Sequence, residues 1–255
     1  MRLTCTQGEM TQTDEDIKVL KEFLSFDIQS ADEVFAKFNQ LDGVKIYQSG
    51  KYGERFLFKQ GSRIDRLTLI AHADTFYCKK RKQLEQIEQG IVQTDNILHG
   101  KNPDYGIGAD DRAGCAILWL MRDSGHNILL LDGEEKFYRG ARYLMNEHKV
   151  IFEEIQKSRF AVEFDFPHAD ELSYHDTLAH DAFRKYIEEK TGYKDNPRTP
   201  PTDIGVLCQN MCAVNLSVGY FDHHTKDEYL DIIAWFKTLN VIRKISQEQI
   251  PKFEI

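Results

Sequence analysis

The sequence predicts an α/β protein, a three-layer α/β/α sandwich around a mostly parallel central sheet. Three observations carry that prediction. Near-continuous apolar runs, such as Arg66 to Ala71 and Asn127 to Leu131, read as strands buried on both faces. Apolar-periodic stretches between such runs read as helices. Strands and helices alternate along most of the chain, which is the order of a parallel sheet with crossover helices.

Each element has its own signal. Thr13 to Phe26 is an amphipathic helix with Thr13 as the expected N-cap and Ile17, Leu20, Phe23 and Leu24 on one face. A second helix is expected over Ala31 to Phe38. Val44 to Tyr47 and Arg55 to Phe58 read as strands flanking a turn at Ser49-Gly50, and Arg66 to Ala71 is a buried strand ending at His72. Lys79 to Gln89 is a charged, solvated excursion, and Gly90 to Gln93 and Ile97-Leu98 are short strands. A buried helix spans Ala113 to Met121, a buried strand Asn127 to Leu131, and a helix Arg139 to Glu147. Phe160 to Phe164 is a strand running into Asp165, Ala182 to Lys190 is helical, and Cys212 to Val218 is a strand leading into Gly219-Tyr220. The last helix is expected from about Lys226 to Ile245.

The chain has 255 residues, 41% of them hydrophobic and 29% charged, which is enough to bury a sizeable core in a soluble globular protein. A net charge of −8 argues against a nucleic-acid binder and against an anionic membrane surface as partner. The five cysteines (Cys5, Cys78, Cys115, Cys208, Cys212) are odd in number and without CxxC spacing, so buried free thiols are expected rather than a disulfide framework or zinc ribbon. The N-terminal segment lacks the apolar stretch of a signal peptide and no run approaches a membrane span, so a cytoplasmic protein is expected.

Chemistry concentrates in five short motifs at or near predicted strand ends. They are His72-Ala-Asp74, Gly108-Ala-Asp110-Asp111, Asp132-Gly-Glu134-Glu135, Glu163-Phe-Asp165 and His223-His224. Each alone reads as a solvated acidic pair or a hydrogen-bonded loop residue. Together they deliver hard oxygen and nitrogen ligands from separate rigid supports, the requirement of a two-metal hydrolytic site. Ligands of this kind collect beyond the carboxyl ends of parallel strands.

In order, context and spacing these motifs resemble the co-catalytic zinc exopeptidases, the aminopeptidase and carboxypeptidase families that share a phosphorylase-like α/β fold. The resemblance rests on His72-Ala-Asp74-Thr75, on Gly108-Ala-Asp110-Asp111-Arg-Ala-Gly114 and on Glu134-Glu135 with Gly140-Ala141 downstream. Asp165, Val218-Gly219-Tyr220 and His224-Thr225 complete it, and Pro201-Thr-Asp-Ile-Gly205 resembles the Thr-Asp element that precedes the last ligand in several members. It covers roughly residues 66 to 235.

The resemblance implies two zinc ions, with manganese or cobalt as substitutes. Asp110 would bridge them, His72 and Asp165 would complete one metal, and Glu135 and His224 the other. Glu134 would be the general base acting on the bridging water, and Asp74 would hold the His72 ring. Asp111 is the alternative bridge and His223 the alternative histidine ligand. Many relatives insert a lid and dimerisation domain before the last histidine; about sixty residues separate Asp165 from His224 here, so residues 1–255 are expected to form one catalytic domain without that insertion. Tyr220, Tyr174 and Tyr105 are then candidates for the oxyanion-stabilising or substrate-binding groups that a lid supplies, and the loop from Lys194 to Thr202 for a substrate wall.

The expected activity is metal-dependent hydrolysis of a peptide or related amide bond by an exopeptidase of aminopeptidase type, acting on small peptides or N-acyl amino acids. The same residues admit two other readings: a single-zinc acyltransferase of the glutaminyl-cyclase kind, or a non-catalytic member of the fold kept for binding. Oligomeric state is not encoded in any motif.

Overall fold

The computed structural model describes residues 7–78, 90–175, 177–197 and 200–253. Cys5, the Lys79 to Gln89 excursion and part of the loop up to Thr202 lie outside the described residues. The chain opens with helices α1 (Gln7–Leu24) and α2 (Asp32–Phe38), then strands β1 (Val44–Gln48), β2 (Arg55–Lys59), β3 (Thr68–His72), β4 (Ile91–Thr94) and β5 (Ile97–Gly100). Helix α3 (Ala109–Leu120), strand β6 (Asn127–Leu131), a single 3-10 turn at Glu134–Lys136, and helices α4 (Arg139–Glu147) and α5 (Lys149–Gln156) follow. The remainder is β7 (Ala161–Phe166), β8 (Glu171–Ser173), α6 (Asp181–Thr191), β9 (Lys194–Asp195), α7 (Asp203–Leu207), β10 (Ala213–Ser217), β11 (Tyr220–Phe221), β12 (Tyr229–Asp231) and α8 (Ile232–Gln247).

The main sheet has eight strands in the order β1-β2-β6-β3-β7-β10-β8-β9. Its centre is parallel, β6 with β3, β3 with β7 and β7 with β10, while β1, β2 and β8 join antiparallel. Side chains of a strand point alternately to opposite faces, and both faces are apolar here. In β6, Ile128 and Leu130 enter one core, while Leu129 and Leu131 enter the other. The first core is closed by Phe23 of α1, Phe38 of α2, Ile117 of α3, Phe183 of α6 and Trp235 of α8. The second is closed by Leu144 of α4, Ile155 of α5 and Leu207 of α7. Helices therefore cover both faces, and the three-layer expectation holds.

Four local differences from the sequence reading have physical reasons. Helix α1 begins at Gln7, so Thr13 lies inside it and is not its N-cap. The last helix begins at Ile232, not near Lys226, because the Asp231 carboxylate accepts the Ile233 and Ala234 N–H groups and caps it there. Residues 229–231 are instead strand β12, paired with β5 in a second, antiparallel sheet of order β11-β12-β5-β4. Helix α5 and strand β8 were not anticipated; β8 pairs antiparallel with β10 and carries the chain from β7 back to the sheet. Cys78, Cys115, Cys208 and Cys212 are buried free thiols, as expected. No helix among the described residues is long and apolar enough to cross a membrane.

Candidate active site

Four of the five motifs converge at the carboxyl edge of the parallel strands, and the fifth at the amino end of α3. His72 is the last residue of β3 and Asp165 the fifth residue of β7, inside the strand rather than after it. Glu134 and Glu135 sit in the 3-10 turn after β6, and His223 and His224 in the loop between β11 and β12.

Asp110 reaches the centre because the start of α3 is not helical. Gly108 adopts a left-handed conformation (φ 67°), and Asp110 and Asp111 depart from helical angles, with a cis peptide between them. The two carboxylates face different partners. Asp111 accepts the backbone N–H groups of His72 (3.1 Å) and Gly114 (2.9 Å), tying β3 to α3, whereas Asp110 faces the imidazoles. A side chain at Gly114 would run into the Phe164 carbonyl and the Asp111 carboxylate, so only glycine lets α3 approach β7 this closely.

The distances define one continuous cluster. His72 Nε2 lies 3.1 Å from Asp110 Oδ1 and 3.2 Å from Asp165 Oδ1. His224 Nε2 lies 3.1 Å from Asp110 Oδ2 and 2.8 Å from Glu135 Oε1. Each oxygen of Asp110 thus faces a different histidine. The potential ligand atoms of His72, Asp110 and Asp165 lie within 4.8 Å of one another, as do those of Asp110, His223 and His224. His223 therefore stands beside His224, its ring edge-on to Tyr220. Glu134 Oε2 is 4.0 Å from His72 Nε2, and its side chain is 13% exposed.

Supporting groups fix these side chains. His72 Nδ1 donates to the Asp74 carbonyl oxygen at 2.9 Å, so Nδ1 carries the proton and Nε2 is the nitrogen directed at the cluster. The Asp74 carboxylate stands 3.5 Å from that ring and accepts the N–H groups of Gly133 (2.7 Å) and Glu134 (3.1 Å). Besides that ring contact, it holds the backbone of the glutamate turn. Gly133 has φ 78° and its Cα abuts Gly53, where a Cβ would lie 2.7 Å from the Gly53 carbonyl oxygen. Asp132 is engaged by Arg55, whose Nε donates to it at 3.0 Å. The Tyr220 hydroxyl donates to Asp165 and is buried, so it steadies a carboxylate rather than facing substrate. The Tyr174 hydroxyl is directed to the Arg184 carbonyl within the core. Of the three tyrosines, Tyr105 lines an open cavity beside the cluster.

One buried acid, Glu228, was not singled out by the sequence. Glu228 accepts the backbone N–H groups of Gly108 (2.8 Å) and Asp110 (3.1 Å), holding the segment that presents Asp110. Its surroundings, Lys226-Asp-Glu-Tyr229, look like a solvated loop, and no motif marks it. Glu163 accepts the Thr202 hydroxyl, and Asp203 lies buried next to Thr202, so the Thr-Asp element sits beneath the cluster.

Electrostatics test whether these residues suit a cation. Burial, with the neighbouring Asp165, Asp203 and Asp110 charges adding and His72 opposing, pushes Glu134 well above the usual carboxyl range. Burial and Asp110 raise Glu135, and burial pushes Asp165 to about 6 despite His72. Asp203 is pushed to about 8, chiefly by burial. Asp110 alone moves down: burial opposes it, but the two imidazoles outweigh burial. Against their own burial, His72 and His224 are raised by these carboxylates, His224 to about 10. A buried excess of carboxylate over imidazole, made of hard oxygen and nitrogen donors, fits divalent cations.

No family model matches the chain, and no curated protein matches its sequence. Solved structures do match its fold. An aminopeptidase PepT from Bacillus cereus is 13% identical, with 92% of this chain and 98% of that chain covered at a TM-score of 0.66. A tripeptidase from Staphylococcus aureus is 14% identical, with 92% and 99% covered and a TM-score of 0.67. Aminopeptidase APDkam598 from Desulfurococcus kamchatkensis is 13% identical, with 94% and 96% covered and a TM-score of 0.63. At this identity the likeness is one of fold.

Proposed function

We propose that this chain is a metal-dependent hydrolase of peptide or related amide bonds, an exopeptidase of aminopeptidase type. The observation that carries the reading is Asp110, whose two oxygens each lie 3.1 Å from a different imidazole with Glu134 alongside. The aminopeptidase and tripeptidase names of the structural neighbours agree with it. In this reading His72 and Asp165 would hold one cation and Glu135 and His224 the other, with Asp110 shared between them. Zinc is the proposed metal, with manganese or cobalt suited to the same donors. When bound, such a pair supplies Lewis acidity, polarising the carbonyl under attack and lowering the pKa of water.

The chain's own residues do the rest. Glu134, whose carboxyl stands 4.0 Å from His72 Nε2 at the edge of the cluster, would take a proton from the attacking water and return it to the leaving amine. Asp74 positions Glu134 through the backbone of its turn, Tyr220 steadies Asp165, and Tyr105 is placed to meet substrate. The described residues between Asp165 and His224 carry β8, α6, β9, α7, β10 and β11, in keeping with a single catalytic domain without an insertion there.

Metal content per chain after reconstitution with zinc, followed by a screen of aminoacyl and dipeptide substrates, tests the reading. Two equivalents with hydrolysis support it. One equivalent with cyclisation of an N-terminal glutamine supports the acyltransferase, and no metal supports a binding role.

Two further outcomes follow from the geometry. Glu228 accepts the Gly108 and Asp110 N–H groups on different oxygens, so replacing it with Gln turns one of those acceptors into a donor, and zinc affinity should fall by about 10–100-fold, the range for outer partners of a ligand. Competition with a chelator reads this directly, and unchanged affinity would show that Asp110 holds its place without Glu228. The second concerns pH. His224, raised to about 10, carries a proton at neutral pH that ligation must displace. Zinc affinity should therefore rise with pH below that value, by about tenfold per unit for each proton displaced. Affinity that is flat between about pH 6 and about pH 8 would remove His224 from the ligand set.

A further inference from the structure

Beside the cluster lies a cavity of about 1050 Å³, ample for a short peptide. Two of its residues join it to the cluster. Phe76 lines it and stacks on His224, ring centroids 4.6 Å apart and 17° from parallel. Lys136 lines it too, next to Glu135 in the same 3-10 turn.

The chemistry of its wall is specific. The rings of Phe76, Tyr105, Phe137 and Tyr143 face it, and Phe137 is 82% exposed. The wall also carries Lys51, Arg139, Glu54, Asp104 and Glu147. Glu54 lies 3.6 Å from Lys51 and 3.5 Å from Arg139, so those charges answer one another. Lys136 and Arg142 form no ion pair with any described residue. Lys136 Nζ stands 5.9 Å from the Phe76 ring, and the Arg142 guanidinium is held only through Nε, which donates to the Phe137 carbonyl. Asp104 and Glu147 on the same wall likewise pair with no described residue, so Lys136 and Arg142 are cations without a direct partner, and on an aromatic floor beside the cluster they suit an anionic group on a partly apolar ligand.

We infer that this cavity is the substrate subsite, in which Lys136 and Arg142 receive a carboxylate of a short peptide while the aromatic wall covers the adjoining side chain. The inference rests on the hydrolase reading for the identity of the ligand. Reach agrees with it: the Phe76 contacts place Lys136 Nζ within about 10.5 Å of the His224 ring. An extended peptide covers roughly 3.3–3.6 Å per residue, so the carboxylate sits about three residues or fewer from the bond at the cluster. The carboxylate is the chain terminus or an acidic side chain, and the ligands below separate the two.

The test is calorimetric binding to the zinc-reconstituted full chain carrying Glu134→Gln, so that peptide is not consumed. The probes are Ala-Ala-Phe, its C-terminal amide, and Ala-Ala-Glu amide. The free acid should bind about tenfold tighter than the neutral amide, the size of a charged hydrogen-bonded contact. That advantage should vanish in Arg142→Ala and Lys136→Ala, survive in Lys136→Arg, and leave zinc content unaltered. If Ala-Ala-Glu amide matches the free acid, the side-chain carboxylate is accepted; if it matches the neutral amide, the terminus is read. Equal binding of all three peptides, or an acid preference that survives both alanine variants, would overturn the subsite. Wild-type hydrolysis of the same peptides separates the two ideas. Cleavage without carboxylate preference would leave the hydrolase and remove the subsite, whereas carboxylate binding without cleavage would do the reverse.

Discussion

Glu134→Gln is expected to lower peptide hydrolysis by about 10²–10⁴-fold, the contribution of a positioned acid–base group, while two zinc equivalents stay bound. The amide matches the carboxylate in shape, and the turn that presents it is held through backbone N–H groups donated to Asp74, which the substitution leaves intact. A second readout excludes a merely structural effect. In the metal-free chain, burial and neighbouring carboxylates raise Glu134 above its ordinary value of 4.5. A carboxyl raised in the folded state favours folding below its unfolded pKa, and that contribution is lost as pH rises through the folded one. The metal-free variant should therefore unfold at a higher temperature than wild type in mildly alkaline buffer and not in acid. Near-normal hydrolysis with full metal content would remove Glu134 as the base.

The layers and the main cluster were legible in the sequence because both depend on short-range patterns. Asn127 to Leu131 and Arg66 to Ala71 are apolar at successive positions, which only a strand covered on both faces can use, and β6 and β3 feed both cores accordingly. His72, Glu134, Glu135 and Asp165 were found because strand ends place them together. What escaped depends on contacts between distant segments. Strands β11 and β12 of the second sheet are only two and three residues long, so period-two patterning had no length in which to appear there. Glu228 acts through the backbone N–H of Asp110, far away along the chain, and nothing near Glu228 announces that partner. Asp74 was read from its spacing to His72, beside whose ring its carboxylate stands, but that spacing gives no sign of the two N–H groups that the turn at Gly133 also offers it.

Asp110→Asn should have the largest effect on metal binding. Its two oxygens are each 3.1 Å from Nε2 of His72 and of His224, so one side chain serves both halves of the cluster. It is also the one acid of the group that the imidazoles hold below the ordinary carboxyl range, and so the one whose charge is most secure. Two cations about 3.5–4 Å apart need a shared anion between them. An asparagine removes that charge and turns one oxygen into an N–H donor, which cannot ligate. The expected result is loss of at least one zinc equivalent and a fall in affinity beyond the roughly 10–100-fold assigned to Glu228→Gln, because Glu228 reaches the metals only through Asp110. Hydrolysis should fall with it. The order of the two variants is the sharper check: if Glu228→Gln weakened zinc as much as Asp110→Asn, the loop and not the bridging carboxylate would be holding the pair. Two equivalents bound at wild-type affinity in Asp110→Asn would end the assignment of Asp110 as the bridging ligand.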